Sequence, residues 1–221
     1  MSEVAQRLAE IRARIAAACA RAGRPVESVT LLAVSKLKPS ALIREAYAAG
    51  QRAFGENYAQ ELRDKAVELE ALAGLRWHAI GPLQTNKVKY VAKAAHAFHA
   101  LERLDVAREL SKRRIEAPLP CYVEVNLGGE QSKSGLAPEA LGPLLDEVRT
   151  LPGLRLEGLM ALPPPTEQEE QARGHFRRLR ELARAQGLTG LSMGTTHDFE
   201  LAIEEGATVV RVGTALFGER N

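Results

Sequence analysis

The chain has 221 residues, of which 45% are hydrophobic and 26% are charged, and its formal net charge at pH 7 is +2. This balance indicates neither a nucleic-acid nor a membrane partner, and no apolar run is long enough to cross a bilayer. The two cysteines, Cys19 and Cys121, lie in apolar patterns typical of small buried side chains, so we expect no disulfide, no metal site and a cytoplasmic location.

Residues 1–23 predict an amphipathic helix. An apolar stripe recurs at helical spacing and is followed by Gly23. The stripe consists of Val4, Leu8, Ile11, Ile15 and Cys19. We expect this helix to pack on the body of the fold, and a stripe that binds a partner protein is the alternative.

After this helix, strand and helix patterns alternate along the chain. The predicted strands are Val29–Ser35, Arg52–Gly55, Arg76–Ile80, His96–Ala100, Cys121–Asn126, Leu156–Met160, Gly190–Met193 and Thr208–Val212. The predicted helices are Ser40–Ala49, Ala59–Leu72, Thr85–Ala94, Val106–Arg114, Pro138–Arg149, Glu167–Ala185 and Phe199–Glu205. This alternation predicts one α/β domain over residues 1–221, a closed parallel (β/α)8 barrel of the TIM type with an extra N-terminal helix. An open doubly wound sheet is the alternative, but no dinucleotide-binding glycine pattern follows the first strand.

Lys36 directly follows the first apolar strand, and Pro39 prevents that strand from continuing. A lysine at the carboxyl end of a barrel strand is partly removed from water, which lowers the pKa of its ammonium group and makes the amine nucleophilic. This placement predicts a Schiff base with an aldehyde. The alternative is a lysine whose amine simply reaches solvent.

Two short motifs near the C-terminus predict a phosphate site. Ser192–Thr196 runs from the seventh predicted strand towards a helix, and Arg211–Ala215 lies at the end of the eighth predicted strand. Each combines a glycine with hydroxyl residues near a helix start, and the loops after these two strands commonly hold phosphate in such barrels. Plain turns or helix caps are the alternative, and Asp198 is expected only to cap its helix.

Arg211 lies within an otherwise apolar strand. Strand alternation places it on the same face as Val209 and Gly213, so we expect it to point into the barrel. A buried guanidinium needs acceptors. An internal ion pair with Glu124 or Glu157 and a hydrogen bond to a ring nitrogen of a ligand are both compatible with this position.

Several stretches in order carry a resemblance to a known family. They are LLAVSKLKP, FGENYAQE, WHAIGPLQTNK, VEVNLGGEQSKSG, GLMALPP, LSMGTTHDFELAI and VRVGTALFG. Together they resemble the pyridoxal phosphate homeostasis protein family over nearly the whole chain. The fold of that family is similar to the N-terminal barrel domain of alanine racemase.

The resemblance implies the cofactor pyridoxal 5'-phosphate (PLP), held by Lys36 as an internal aldimine, with Arg211 facing the pyridine nitrogen. It assigns the phosphate to Thr196 and to the main chain of Gly213 and Thr214. The family usually has Met-Gly-Met-Ser where this chain has Met193-Gly-Thr-Thr196, and threonine keeps the hydroxyl. The other implied site residues are Asn57 and Met193 near the ring. The position of His78 predicts that it lies in the same mouth, and a histidine satisfied within the core or behind the site is the alternative.

The expected function is storage of PLP without strong catalysis, so no catalytic residue is assigned. An arginine opposite the ring nitrogen weakens the cofactor as an electron sink. Alanine racemases take their second base from a C-terminal β domain, which we expect to be missing here because the chain ends at Asn221. We therefore expect a monomer that buffers PLP, binds other B6 vitamers and contacts PLP-dependent apoenzymes transiently.

Two catalytic functions and one additional site are the alternatives. A racemase or lyase of low activity would also use PLP, and a Schiff-base aldolase acting on a sugar phosphate would need the same lysine and phosphate site. Separately, Lys87, Lys89 and Lys93 predict a solvated helix face. A second site for phosphorylated vitamers, or a docking surface for apoenzymes, is the alternative for these lysines.

Overall fold

The computed structural model describes residues 2–128 and 134–219. Within these residues, eight parallel strands close into one barrel in chain order, and the last strand pairs with the first. The strands are β1 (Thr30–Val34), β2 (Ala53–Glu56), β3 (Arg76–Ala79), β4 (Ala97–Leu101), β5 (Leu119–Glu124), β6 (Leu154–Met160), β7 (Gly190–Ser192) and β8 (Val209–Val212). The predicted (β/α)8 barrel is confirmed.

Helices follow the strands around the outside of the barrel. They are α1 (Glu3–Arg21), α2 (Ser40–Ala48), α3 (Ala59–Glu68), α4 (Val88–Ala94), α5 (Leu104–Lys112), α6 (Leu141–Arg149), α7 (Glu169–Ala185), α8 (Phe199–Glu204) and α9 (Thr214–Phe217). Short 3₁₀ turns at Val26–Ser28, Thr85–Lys87 and Pro138–Ala140 precede β1, α4 and α6. In the described part of the chain, no helix has the length and apolar character needed to cross a bilayer.

Two of the differences between the structure and the predicted elements have a clear physical reason. β5 begins at Leu119 and includes Pro120, which pairs with Arg155 of β6, whereas the sequence pattern predicts its start at Cys121. A proline removes only one N–H from the ladder, so the neighbouring residues can still pair. Helix α9 is not predicted, because a single turn of four residues is too short to carry a helical pattern.

Both cysteines are free and fully buried, in agreement with the prediction for Cys19 and Cys121. Burial raises the pKa of both thiols, so neither is an activated nucleophile.

Helix α1 covers the seam where β8 meets β1. Its apolar stripe is buried, and the helix contacts α2, α8 and α9. Two ion pairs at its edge join Arg14 to Glu200 and Arg21 to Glu204, each with an N–O distance of 2.7 Å. Ser2 caps the helix by accepting a hydrogen bond from the Ala5 amide. Because the stripe is part of the core, it is not available as a separate surface for a partner.

Leu8→Ala tests this packing. Leu8 is 1% exposed in the centre of the α1 stripe, so its truncation should lower the free energy of unfolding by about 3 kcal/mol. Urea denaturation measures the change. Gln6→Ala, at an exposed position of the same helix, should change it by less than about 0.5 kcal/mol, and an equal effect of the two substitutions would contradict the buried role of Leu8.

Candidate functional site

The predicted site residues lie at the carboxyl ends of neighbouring strands. β7, β8, β1 and β2 are consecutive around the barrel, and all strands run in the same direction. Lys36 follows β1, Asn57 follows β2, the segment 193–196 follows β7, and the segment 213–214 follows β8. The barrel therefore brings these residues to one sector of its rim, which is where barrels of this class bind ligands.

Lys36 lies in a tight turn directly after β1. It is half-buried, and the preceding Ser35 is fully buried. The Lys38 amide donates to the Ser35 carbonyl at 3.0 Å, and Leu37 has a φ of +59°. This is the left-handed conformation, which glycine adopts more readily than leucine. The position of Lys36 thus depends on a main-chain conformation that the local sequence does not favour.

The loop after β7 is held by Asp198. The Asp198 carboxylate accepts hydrogen bonds from the Thr195 amide at 2.6 Å and from the Thr195 hydroxyl at 3.0 Å. The prediction that Asp198 only caps its helix is wrong in this respect: the residue occupies the N-cap position of α8, but its side chain makes no capping hydrogen bond. Gly194 has a φ of +89°, and a Cβ there would lie 2.5 Å from the Cβ of Ala202, so this turn requires glycine.

Several hydrogen-bond donors on this rim have no acceptor in the described chain. They are the Thr196 amide and hydroxyl and the amides of Gly213 and Thr214. Met193, on the same loop as Thr196, is fully buried. Main-chain amides and a hydroxyl on two adjacent loops are the groups that bind a phosphate.

Arg211 points into the barrel and is held by neutral acceptors. Nη1 donates to the carbonyl and the hydroxyl of Ser192 at 2.7 and 2.8 Å, and Nη2 donates to the Ala161 carbonyl at 2.8 Å. The predicted alternative of an ion pair is wrong, because Arg211 pairs with neither Glu124 nor Glu157 within the described residues. Glu157 instead pairs with Arg155 at the outer surface.

A chain of hydrogen bonds continues from Arg211 across the barrel interior. The Ser192 hydroxyl lies 2.9 Å from Nδ1 of His99, and Nε2 of His99 lies 2.9 Å from Nδ1 of His78. Since the Ser192 oxygen already accepts from Arg211, its hydrogen can be donated to His99, and His99 can then donate to His78. Tyr122 stacks on His99 with a centroid distance of 4.3 Å and fixes the plane of that ring.

Burial keeps both histidines neutral. It lowers the pKa of His78 to about 4, with further lowering by the charges of His96 and Arg76. It lowers the pKa of His99 well below the ordinary value, and His78 and Arg211 contribute to that shift.

The charged groups beside this chain titrate differently. Burial lowers the pKa of Arg211 to about 10, so the guanidinium is charged at neutral pH. Burial raises the pKa of Glu124 to about 7, and repulsion from Glu102 adds to the effect. Among the residues that the structure describes, the groups around this chain are thus a charged guanidinium, a neutral histidine pair and a carboxyl group that titrates near neutrality.

Asn57 also has an unsatisfied group on the rim. Its Oδ1 atom is buried and has no hydrogen-bond partner among the described residues. Its main chain lies against Gly81, where a Cβ would be 2.4 Å from the Asn57 carbonyl oxygen. The close approach of Gly81 fixes the loop, and Oδ1 is left as an acceptor for a bound group.

The basic stretch after β3 surrounds one tyrosine. The Nζ atoms of Lys87 and Lys89 lie 6.0 and 5.1 Å from the centroid of the Tyr90 ring, and Cζ of Arg63 lies 4.6 Å from it. These are cation–π contacts at the protein surface, and the solvated face of Lys87, Lys89 and Lys93 stays a prediction.

The sequence motifs identify the rim residues but not the histidine chain. His78 was predicted to lie in the mouth with the other site residues; the structure places it within β3, hydrogen-bonded to His99. His99 was not predicted at all, because its role depends on which residues face each other across the barrel. The one available signal was a second histidine in an otherwise apolar strand.

The depressed pKa of His78 predicts a loss of stability in acid. The unfolded chain takes up a proton near pH 6.5, whereas the folded protein does not protonate His78 until about pH 4. The unfolded state therefore binds more protons in this interval, and the free energy of unfolding should fall by about 3 kcal/mol between pH 6.5 and 4 because of this group. Urea denaturation at a series of pH values measures the slope.

The control for this experiment is a pair of histidine substitutions. His78→Gln should reduce the slope between pH 6.5 and 4, whereas His197→Gln, at an exposed position, should leave it unchanged. An unchanged slope in His78→Gln would contradict the neutral state of His78.

Comparison with known proteins agrees with the geometry of the rim. The alanine racemase N-terminal domain family matches residues 6–221. The chain is 50% identical to the pyridoxal phosphate homeostasis protein of Pseudomonas aeruginosa, over 100% of this chain and 97% of that protein. It is 44% identical to the Escherichia coli K12 protein of the same name, over 100% and 98% of the two chains.

Solved structures extend this comparison. PipY of Synechococcus elongatus with PLP bound is 36% identical, has a TM-score of 0.85, and is matched over 98% of this chain and 100% of its own. Alanine racemase of Corynebacterium glutamicum shares the fold, with a TM-score of 0.63 and 18% identity over 95% of this chain and 60% of the racemase. The chain belongs to the alanine racemase N-terminal domain family and, within it, to the pyridoxal phosphate homeostasis proteins.

Proposed function

We propose that this protein binds PLP at the rim formed by β7, β8, β1 and β2, holds it through Lys36, and stores it for delivery to apoenzymes. The observation that carries the proposal is the gathering of Lys36, Arg211, Asn57 and two loops with unsatisfied donors on four consecutive strands, β7, β8, β1 and β2. The names of the relatives and the PLP complex of PipY support the same assignment.

The groups on the rim fit the parts of PLP. The donors at Thr196, Gly213 and Thr214 suit its phosphate, and the Lys36 amine would bond to its aldehyde carbon. Nε and the second Nη2 hydrogen of Arg211 donate to no described residue, so they are available to the pyridine nitrogen. The remaining members of the site are Asn57 and Met193 beside the ring and His78 beneath it, through the histidine chain.

The residues around the ring favour storage over catalysis. PLP supplies an electron sink when its ring nitrogen is protonated. Arg211, which is charged at neutral pH, would donate to that nitrogen and disfavour its protonation. The Ser192 contacts keep the guanidinium in this orientation, and the neutral histidines add no opposing charge.

We also propose a location and partners for this protein. A cytoplasmic monomer that contacts apoenzymes transiently, and that also accepts other B6 vitamers, is consistent with reversible storage. Neither nucleic acid nor a membrane is part of this function.

Lys36→Ala tests the attachment point. Wild-type protein mixed with PLP should turn yellow, and borohydride reduction should fix a pyridoxyl group on the peptide that contains Lys36. Lys36→Ala should lose both signals because the amine is gone. Lys112→Ala, a surface lysine on α5 with a 74% exposed side chain, is the matched control and should behave like wild type. Labelling of another lysine in the wild type would contradict the assignment.

Proton exchange separates storage from turnover. Wild-type protein loaded with PLP and incubated with an amino acid in deuterated water should leave the substrate α-proton in place, because ring protonation is disfavoured. The same loaded protein should reactivate an added PLP-dependent apoenzyme, because it releases PLP to it. Exchange that is abolished in Lys36→Ala would instead favour a racemase or lyase of low activity, and colourless protein that takes up no PLP would favour a sugar-phosphate aldolase.

A further inference from the structure

The turn that carries Lys36 has a conformation which its own sequence does not favour. Ser35, Lys36, Leu37 and Lys38 form a β-turn closed by the bond from the Lys38 amide to the Ser35 carbonyl. Leu37 occupies the third position with a φ of +59°, where glycine or asparagine is usual. Contacts from elsewhere must therefore hold the turn.

These contacts come from helix α3 through Glu61 and Lys65. Oε1 of Glu61 accepts a hydrogen bond from the Leu37 amide at 2.7 Å, so it binds the strained residue directly. Nζ of Lys65 donates to the same Glu61 oxygen at 2.7 Å and to the Ser35 carbonyl at 2.7 Å. The two side chains thus bind the turn on both sides of Lys36.

The anchor of this network is buried behind β1 and β2. Lys65 is 7% exposed and also donates to Oε1 of Glu56 at 2.8 Å. The Ser35 hydroxyl donates to the same Glu56 oxygen at 2.6 Å. Glu56 is 1% exposed, and its second carboxylate oxygen has no partner among the described residues. A buried, hydrogen-bonded ion network of this kind fixes a geometry, since any displacement leaves a charge unpaired.

We propose that Glu61 and Lys65 are positioning residues that hold the Leu37 main chain in its left-handed conformation and thereby aim the Lys36 amine at the cofactor. This inference rests on the proposed function, since it assigns these residues a role in the same site. Neither residue needs to touch the cofactor. Their contribution is to organise the lysine before binding, so that less binding energy is spent on ordering the turn.

Glu61→Ala is the most direct test. The side chain of Glu61 is 20% exposed, and its removal leaves Lys65 paired with Glu56, so the fold should persist. The variant should bind PLP about tenfold more weakly, because the charged acceptor of the Leu37 amide is lost. In the PLP-free protein, hydrogen exchange of the Leu37 amide, followed by NMR, should become faster.

Three further variants distinguish positioning from a general structural effect. Glu61→Gln keeps an acceptor for the Leu37 amide and should retain most of the affinity. Leu37→Asn in the Glu61→Ala background should recover part of the lost affinity, since asparagine tolerates the left-handed conformation and position 37 is exposed. Glu68→Ala is the matched control: Glu68 lies on the same helix, hydrogen-bonds Ser40 rather than the turn, and should leave both readouts unchanged.

The possible results separate this inference from the function on which it rests. If the wild type binds PLP and Glu61→Ala binds it equally well, the positioning role is overturned while the proposed function stands. Unchanged exchange of the Leu37 amide in Glu61→Ala also overturns it. If the wild type takes up no PLP, the proposed function fails and the positioning role fails with it. Weaker binding together with faster exchange, and recovery in the Leu37→Asn background, supports it.

Discussion

Arg211 places a positive charge inside a barrel whose other interior residues are mostly apolar, and an ionised group there needs acceptors to replace water. The structure supplies them from two neighbouring strands, through the carbonyls of Ala161 and Ser192 and the Ser192 hydroxyl. The use of Ser192 as an acceptor sets the direction of the other hydrogen bonds in the interior. Because Ser192 is used as an acceptor, His99 can receive its hydrogen. Burial lowers the pKa of His99, and the charges of His78 and Arg211 lower it further, so protonation of His99 is unfavourable. The hydrogen bonds of Arg211 go only to neutral groups, whereas Glu124 and Asp198 act on it through their charge.

The two sides of β1 face different sets of polar side chains. The inner face leads to the arginine and the histidine chain, where the guanidinium hydrogen-bonds neutral partners and Glu124 titrates near neutrality. The outer face carries the network of Lys65, Glu56 and Glu61, where an ammonium is shared between two carboxyl groups. Lys36 lies at the end of the strand that separates them. In the proposed site, Arg211 and the histidine chain would contact the ring of the ligand. The network of Lys65, Glu56 and Glu61 would set the direction from which the Lys36 amine reaches it.

The sequence was sufficient for the barrel and for the position of the loops after β7 and β8, because both depend on local patterns. Apolar runs mark the strands, and glycine–hydroxyl motifs mark the loops at Gly194 and Gly213. It was not sufficient for contacts that depend on register. The partners of Arg211 stayed open because strand alternation gives the direction of a side chain but not its neighbour across the sheet. The Glu61–Lys65 pair has ordinary helical spacing, and only the packing of α3 shows that it is buried beneath the Lys36 turn. Asp198 was misjudged because a helix-start aspartate usually caps its own helix.

The seam under α1 has a consequence for how the chain acquires its structure. The register pairs Thr30 with Val209, which come from opposite ends of the sequence, so this is among the most non-local pairings in the molecule, and contacts of this kind form late in folding. During synthesis, the apolar surfaces of α1 and β1 that face the C-terminal elements stay exposed until β8 has left the ribosome. Lys36 stands on one side of this seam and the Gly213 loop on the other. A ligand that bridges them binds only the closed barrel, so it shifts the folding equilibrium towards the native state.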